Sequence, residues 1–360
     1  MGMSLRANTI HCMRTLTGLL ARIAAAAVAV SSLSTGCAFE RTIATPHLPG
    51  PGSVVPYRLI QQPDAGYQPI IDLIRSSISS VRMTMYELSD DTAVTALIDA
   101  HRRGVDVKVI LNRAYHGHDT NRASYAALHA AGVDVKWAPN DVIYHQKTIT
   151  VDRTTAAVGT GNLTSKYYTT SRDAYILTTN PSDVAAIAAT FETDFNTPAA
   201  GRPPAATTAP RLIWSPAARA TFLQRIDAAV HTLDITTEEL KDGGVLAAVG
   251  KAARRGVACR IVLTDNPAWS RAIDEVSASG CSVHLLPATP TGLYMHEKLI
   301  LTDGNTLIIG SHNLSTTSLL ENRELSLQLD TTAAREVIAA VRATFNNDYH
   351  QALPASSSTR

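Results

Sequence analysis

The strongest constraint on this chain is that its sequence is written twice. Arg102-Arg103-Gly104 and the apolar run Val105–Leu111 return as Arg254-Arg255-Gly256 and Val257–Leu263. Ala131-Gly132-Val133 returns as Ser279-Gly280-Cys281, and Met83–Glu87 faces Asp234–Glu238 at an offset of 151 residues. Helix-then-strand units closed by glycine predict an α/β fold: two similar α/β lobes, each a mixed sheet flanked by helices. Helices are predicted from about Tyr67 to Ser80, Thr92 to Arg103, Ala123 to Ala131 and Pro181 to Asn196. Counterparts run from Ala217 to His231, Val245 to Arg255, Ala268 to Ser279 and Ala333 to Asp348. The Pro/Ala/Thr tract Thr197–Pro210 has no periodicity and reads as a linker. The lobes are therefore expected at 57–196 and 211–350.

Residues 1–36 have a different character. Arg6, Arg14 and Arg22 precede the small apolar stretch Ile23–Val30, and small residues follow, which is the pattern of a secretory signal peptide. Thr35-Gly36-Cys37 is similar to a bacterial lipoprotein cleavage site with Cys37 as the lipidated residue; cleavage after Ala38 by ordinary signal peptidase is the rival. Residues 37–56 then form a tether. The expectation is an exported protein, periplasmic or secreted, with membrane anchoring if Cys37 is lipidated. Loss of residues 1–36 removes three of the 32 basic residues and none of the 31 acidic ones, leaving a formal net charge of −2. Export also places Cys259 and Cys281 where a disulfide is permitted. Each opens a predicted strand, so they are either bonded or two buried free thiols. Gly256 precedes Cys259 by three residues and Gly280 precedes Cys281 by one, which leaves their register open.

The chemistry lies in a repeated constellation. Tyr144-His145-Gln146-Lys147, then Asp152, then Gly159-Thr160-Gly161-Asn162 is matched by Met295-His296-Glu297-Lys298, Asp303 and Gly310-Ser311-His312-Asn313. Both read His-x-Lys-x4-Asp-x6-Gly-Ser/Thr-x-Asn, and the two histidines are again 151 residues apart. These residues resemble the HKD signature of the phospholipase D superfamily, whose members include phospholipases D, cardiolipin and phosphatidylserine synthases, and phosphodiester nucleases. The resemblance covers Tyr57 to Tyr349. It implies a duplicated phospholipase D-like domain with one active site at the pseudo-two-fold interface between the lobes.

The residue types suit phosphodiester chemistry. A neutral imidazole can attack phosphorus and form a phosphohistidine, splitting one displacement into two. A second, protonated imidazole can donate to the leaving alkoxide and then deprotonate water. Lys147 and Lys298 supply charge to the nonbridging oxygens, so neither metal nor cofactor is required. Asn162 and Asn313 can donate amide hydrogens to the same oxygens, while Thr160 and Ser311 can add hydroxyls or shape the turn. By resemblance, His145 is the nucleophile and His296 the acid/base, although the near-symmetric sequence does not fix that order. The family pattern also places Asp173 and Glu324 eleven residues beyond the asparagines, where a carboxylate can fix an imidazole tautomer. Asp173 is shorter than the glutamate usual in many members. Asp152 and Asp303 belong to the motif and are assigned to positioning, with structural and catalytic roles equally open.

Other candidates are weaker. Glu87 and Glu238 end matching strands and can face the cleft, although a salt bridge or surface site is the preferred reading, and His116-Gly-His118-Asp119 reads as a solvated rim loop rather than a metal site. The composition, 45% hydrophobic and 18% charged with no basic run, supports a packed core and argues against a nucleic-acid-coating surface. Tyr144, Tyr167, Tyr168, Tyr294, Met295, Leu319 and Leu320 flank the motifs, and Trp269 is suited to a lipid interface. The reading is phospholipid headgroup hydrolysis by a monomer at a membrane surface, since both motifs are in one chain. The alternatives are an exported endonuclease on DNA or RNA, or a non-catalytic lipid- or nucleic-acid-binding relative.

Overall fold

Side-chain alternation along the strands sets the architecture. The computed structural model describes residues 55–197 and 201–355. The signal segment, Cys37 and the tether up to residue 54 lie outside the described residues. In the first half the strands are β1 (Tyr57–Gln62), β2 (Ser80–Met85), β3 (Asp106–Leu111), β4 (Asp134–Trp137), β5 (Lys147–Val151), β6 (Thr155–Gly159) and β7 (Ser171–Thr178). The helices are α1 (Gln68–Arg75), α2 (Asp91–Arg102), α3 (Gly117–Ala130) and α4 (Pro181–Asn196). Val107, Val109 and Leu111 of β3 point to the face covered by α1–α3, while Ile110 points to the opposite face against Phe191 and Phe195 of α4.

The second half repeats this plan. Its strands are β8 (Leu212–Trp214), β9 (Thr232–Thr236), β10 (Ala258–Thr264), β11 (Ser282–Leu286), β12 (Tyr294–Met295), β13 (Leu299–Thr302), β14 (Thr306–Gly310), β15 (Leu325–Asp330) and β16 (Leu353–Pro354). Its helices are α5 (Arg219–Asp227), α6 (Gly243–Arg254), α7 (Ser270–Ala278), the short α8 (Thr316–Leu320) and α9 (Thr331–Gln351). Cys259, Ile261 and Leu263 face the α5–α7 side, and Val262 faces Phe345 of α9.

Both sheets are mixed, as expected. The orders are β1-β7-β6-β5-β2-β3-β4 and β16-β11-β10-β9-β13-β14-β15-β8. β2, β3 and β4 pair in parallel, as do β9, β10 and β11, and the motif strands pair antiparallel to them. The inner faces share one core: Val158, Ile176 and Ile187 of the first lobe pack in the same cluster as Leu301, Leu327 and Val341 of the second.

Local chemistry explains the element ends. Asp90, Asn180, Asp242 and Asp330 cap α2, α4, α6 and α9 by accepting first-turn backbone N–H groups. Gly104 and Gly256 follow α2 and α6 at φ +89° and +91°, a left-handed turn that glycine enters freely. Two expectations change. α1 stops at Arg75, five residues early, because Ser80 already begins a buried strand. α3 begins at Gly117, so Gly117, His118 and Asp119 form its first turn rather than a rim loop. Trp269 is partly buried against the second lobe's core. Cys259 and Cys281 are bonded: β10 pairs with β11 with Arg260 opposite Ser282, so the cysteines are opposite each other with Cα atoms 4.7 Å apart.

Two buried ion pairs cross between the lobes. Arg172 of β7 makes a bidentate contact with Asp348 of α9 at 2.8 and 2.9 Å, and Arg323, just before β15, does the same with Asp194 of α4 at 2.9 and 2.7 Å. Arg323→Ala should leave Asp194 buried without its partner and lower stability by about 3–5 kcal/mol. Reversible urea unfolding of wild type and variant checks this; a loss below about 1 kcal/mol would show that the pair is dispensable.

Candidate active site

Each motif histidine is carried by a short segment that pairs with a strand-bearing segment of the other lobe. β12 lies parallel to β7, with Tyr294 opposite Ser171 and Met295 opposite Arg172. In the same way Tyr144 makes a parallel bridge to Arg323. The next residues along these exchanged segments are His296 beside Asp173 and His145 beside Glu324. His296 Nδ1 lies 2.8 Å from Asp173 Oδ1, and His145 Nδ1 lies 2.9 Å from Glu324 Oε2. Each lobe thus holds the other's imidazole. The shorter Asp173 reaches its histidine without difficulty.

The carboxylates are themselves held. Asp173 accepts from Thr160 Oγ1 and Ser171 Oγ, both at 2.6 Å. Glu324 accepts from Ser318 Oγ at 2.6 Å and Asn322 Nδ2 at 3.0 Å. Burial opposes ionisation of both, but His296 and His145 respectively bring the two carboxyls below the usual range. Nδ1–H donation to a carboxylate leaves Nε2 of each ring as the reactive nitrogen, a tautomer assigned from the hydrogen bonds.

The ammonium groups lie behind the imidazoles. Lys147 Nζ donates to the carbonyl of His145 at 2.7 Å, and Lys298 Nζ donates to that of His296. Here the pseudo-symmetry fails. Lys298 also pairs with Glu238 at 3.0 Å, whereas among the described residues no carboxylate pairs with Lys147. Its ammonium stands over the Tyr86 ring, 4.9 Å from the centroid. Burial and then the charge of Lys298 bring the Lys147 ammonium down to about 7. Burial is also the main reason that His145 falls below the ordinary imidazole value. The first motif is therefore suited to present a neutral imidazole.

Both histidines open onto one cavity of about 640 Å³. Asn162 and Asn313 line it, as do Tyr67, Tyr86, Glu87, His116, Glu238 and Glu239. Tyr115, Tyr167 and Tyr294 also line it and are 80%, 49% and 42% exposed. Tyr144, Met295 and Leu319 are core residues, and Tyr168 stacks on Tyr67 with ring centroids 3.6 Å apart.

Several motif residues serve the scaffold. Thr160 and Ser311, expected to bind phosphate, are fully buried; Thr160 donates to Asp173, and Ser311 bonds the backbone of Leu325. Asp152 and Asp303 do not line the cavity. Asp152 accepts the backbone N–H groups of Ile78, Ser79 and Ser80, and Asp303 those of Val230, His231 and Thr232. They fasten the turn after each motif strand to the loop before β2 or β9. The motif glycines are steric: a Cβ on Gly159 would come within 2.3 Å of the Tyr175 ring, and one on Gly310 within 2.4 Å of Ser326 Cα.

Sequence reasoning did not single out Tyr86, Arg172 or Arg323, and it set Glu87 and Glu238 down as salt-bridge or surface residues ahead of the cleft. Glu87 and Glu238 lie two residues past their strands and both line the cavity; Glu87 is bound by His116 Nε2 at 2.7 Å. Tyr86 packs edge-on against His145 at 4.6 Å between centroids. Arg172 and Arg323 precede the two carboxylates at the same 151-residue offset as the histidines, a signal that was available.

Comparison with known proteins agrees with this arrangement. A family model described as the cardiolipin synthase, PLD-like domain matches the chain twice, over residues 70–197 and 222–349. Cardiolipin synthase A of Pseudomonas fluorescens (strain SBW25) is 26% identical over 315 residues, covering 76% of this chain and 65% of that protein. Phospholipase D of Rickettsia bellii (strain RML369-C) is 32% identical over 99 residues, 27% of this chain and 47% of that protein. The chain therefore spans less than two thirds of the length of either relative. The fold is similar to that of phosphatidylserine synthase from Haemophilus influenzae Rd KW20, with a TM-score of 0.65 at 14% identity over 83% of this chain and 87% of that one.

The scaffold role of the motif aspartates is testable. Asp152→Ala should orphan its backbone donors and lower stability by about 1–3 kcal/mol. Circular-dichroism melts report the loss, and turnover per folded molecule should stay near wild type if Asp152 takes no part in proton transfer.

Proposed function

The chain belongs to the phospholipase D superfamily, and on that footing we propose that it cleaves the headgroup phosphodiester of a phospholipid through a phosphohistidine on His145. The observation that carries this reading is the pair of imidazoles at one cavity, each held through Nδ1 by the other lobe's buried carboxylate. Nε2 of His145 attacks phosphorus, and the P–O bond to the headgroup breaks as Nε2–H of His296 protonates the departing oxygen. Water then gives a proton back to His296 and attacks phosphorus, the P–N bond breaks, and phosphatidate leaves. Lys147 and Lys298 offset charge on the nonbridging oxygens, aided by the Asn162 and Asn313 amides.

Lipid rather than nucleic acid is favoured by the cavity. Apart from Lys147 and Lys298 behind the imidazoles, no lysine or arginine is among the described residues at the cavity, whereas a groove for a polyanion needs clustered basic groups. Its exposed tyrosines have amphipathic rings that suit a lipid–water boundary. Among the described residues no helix is long and apolar enough to cross a membrane. The Cys259–Cys281 bond supports an oxidising, extracytoplasmic location for the reaction. The cardiolipin synthase description of the family model supports a second reading, in which a lipid alcohol replaces water as acceptor.

Purified protein offered phosphatidylcholine, phosphatidylglycerol and single-stranded DNA in parallel separates these readings. Headgroup release without DNA cleavage is expected, and cardiolipin formation from phosphatidylglycerol would select the transfer reaction. His145→Ala and His296→Ala should each lose about 10²–10⁴-fold in turnover. Acid-labile phosphoprotein should accumulate in His296→Ala and be absent from His145→Ala; the reverse pattern would exchange the two roles. EDTA should leave turnover of a soluble short-chain diester intact.

The pH dependence follows from which form of each group is required. His145 must be neutral, so kcat/KM falls as acid protonates it below its ordinary imidazole range. Lys147 must be protonated, so kcat/KM also falls as pH rises through about 7. A bound phosphate favours the ammonium, so the alkaline limb of kcat should lie higher than that of kcat/KM. In Lys147→Arg the Lys147 contribution to that limb should disappear, because guanidinium keeps its proton, leaving loss of the His296 proton to define it.

A further inference from the structure

One group in the cavity has no part in the proposed chemistry, yet occupies its donors. Glu238 Oε2 lies 3.0 Å from Lys298 Nζ, 3.3 Å from Asn313 Nδ2 and 3.4 Å from His296 Nε2. The Tyr294 hydroxyl donates to the other oxygen at 3.1 Å. The carboxylate thus takes, among the second motif's donors, the position of an anionic phosphate oxygen. Among the described residues the first motif has no equivalent occupant: Glu87, the repeat mate of Glu238, is turned to His116. Burial alone would raise the Glu238 carboxyl, but His296 and Lys298 bring it well below the usual range, so it is ionised at neutral pH.

An internal anion at a phosphate subsite competes with every entering anion, and does so in proportion to charge. A phosphodiester carries one negative charge, while a phosphomonoester or inorganic phosphate carries between one and two at neutral pH. Coulomb repulsion scales with the product of the charges and is strengthened where water is scarce.

Building on the phosphodiesterase reading above, we propose that Glu238 is a specificity residue, an internal competitor that admits singly charged diesters, disfavours doubly charged monoesters and speeds departure of the monoester product. The asymmetry serves this role. The diester can begin its contacts at the unoccupied first motif, next to His145, and share the second motif's donors with Glu238. A dianion needs both sets of donors and meets the carboxylate at full strength. Product phosphatidate, having gained charge in the reaction, is then held less firmly than the substrate from which it came.

Glu238→Gln keeps the shape and the bonding capacity while removing the charge. Binding of inorganic phosphate to wild type and variant, measured by calorimetry, requires no turnover. Its inhibition constant against a soluble short-chain diester gives a second readout. Phosphate should bind about tenfold more tightly to Glu238→Gln, while the KM for the diester falls by no more than about threefold. Glu87→Gln should leave phosphate affinity within about twofold of wild type. Glu238→Ala, checked for folding by circular dichroism, should move phosphate affinity in the same direction and stands in if the glutamine variant does not fold. Phosphate affinity that is unchanged or weaker without Glu238 would overturn the proposal, as would an equal gain for diester and phosphate. Failure of wild type to turn over any phosphodiester would remove the reaction reading instead, while the phosphate comparison would still decide the role of Glu238.

Discussion

Two buried arginine–aspartate contacts, each reaching from one lobe into the last helix of the other, govern the rest of this structure. Arg172 grips Asp348 in α9, and Arg323 grips Asp194 in α4. Each arginine immediately precedes an active-site carboxylate, Asp173 or Glu324, so the ion pair fixes the backbone from which that carboxylate projects. The same backbone accepts the N–H of the opposite lobe's histidine: Arg323 O from His145 at 3.0 Å and Arg172 O from His296 at 3.2 Å. Fold and site are therefore coupled through single residues. Burying such charges is unfavourable unless both partners are present and well oriented. Bidentate geometry meets that condition and makes the relative placement of the lobes specific.

Upon this symmetric frame the reactive groups are deployed unequally. Both histidines have a carboxylate behind them and a lysine beside them. Only the second motif adds Glu238, which touches its lysine, its histidine and its asparagine. The first motif adds the Tyr86 ring instead. A displacement through a covalent intermediate needs one neutral and one protonated imidazole, and two identical environments would not supply both. Divergence at Tyr86 and its repeat mate Thr237, outside the motif itself, breaks the equivalence while the scaffold stays paired.

Much of this was legible in the sequence because duplication turns weak patterns into strong ones. The α/β character, most helices and the motif residues follow from periodicity and from the 151-residue offset. The disulfide was open because glycine offsets do not determine register, and only the β10–β11 pairing brings the cysteines together. What spacing could not reveal was which lobe's carboxylate serves which histidine, since His145 and Asp173 share a half and yet do not meet. Thr160 and Ser311 look like phosphate ligands in a linear motif, but their hydroxyls are turned into the scaffold. For Asp152 and Asp303 the motif leaves positioning and catalysis equally open; backbone amides more than seventy residues earlier in sequence claim their oxygens. Glu238 reads as a surface or salt-bridge residue and does pair with Lys298; what spacing does not reveal is that the same oxygen also meets Asn313 and His296 of the second motif.

The exchanged segments carry a consequence for how such a molecule can be assembled. Neither half contains both a motif histidine and the carboxylate that holds its Nδ1, so a lone half would lack the paired arrangement even if it folded. Two identical halves could become competent only by reciprocal embrace, at a rate set by their concentration. The linker around residues 197–210 converts that encounter into an intramolecular event, with the effective concentration fixed by the tether rather than by expression level. Fusion also frees the two copies from identity, and the unequal partners of Lys147 and Lys298 are what a homodimer, bound to repeat every substitution on both sides, could never have acquired.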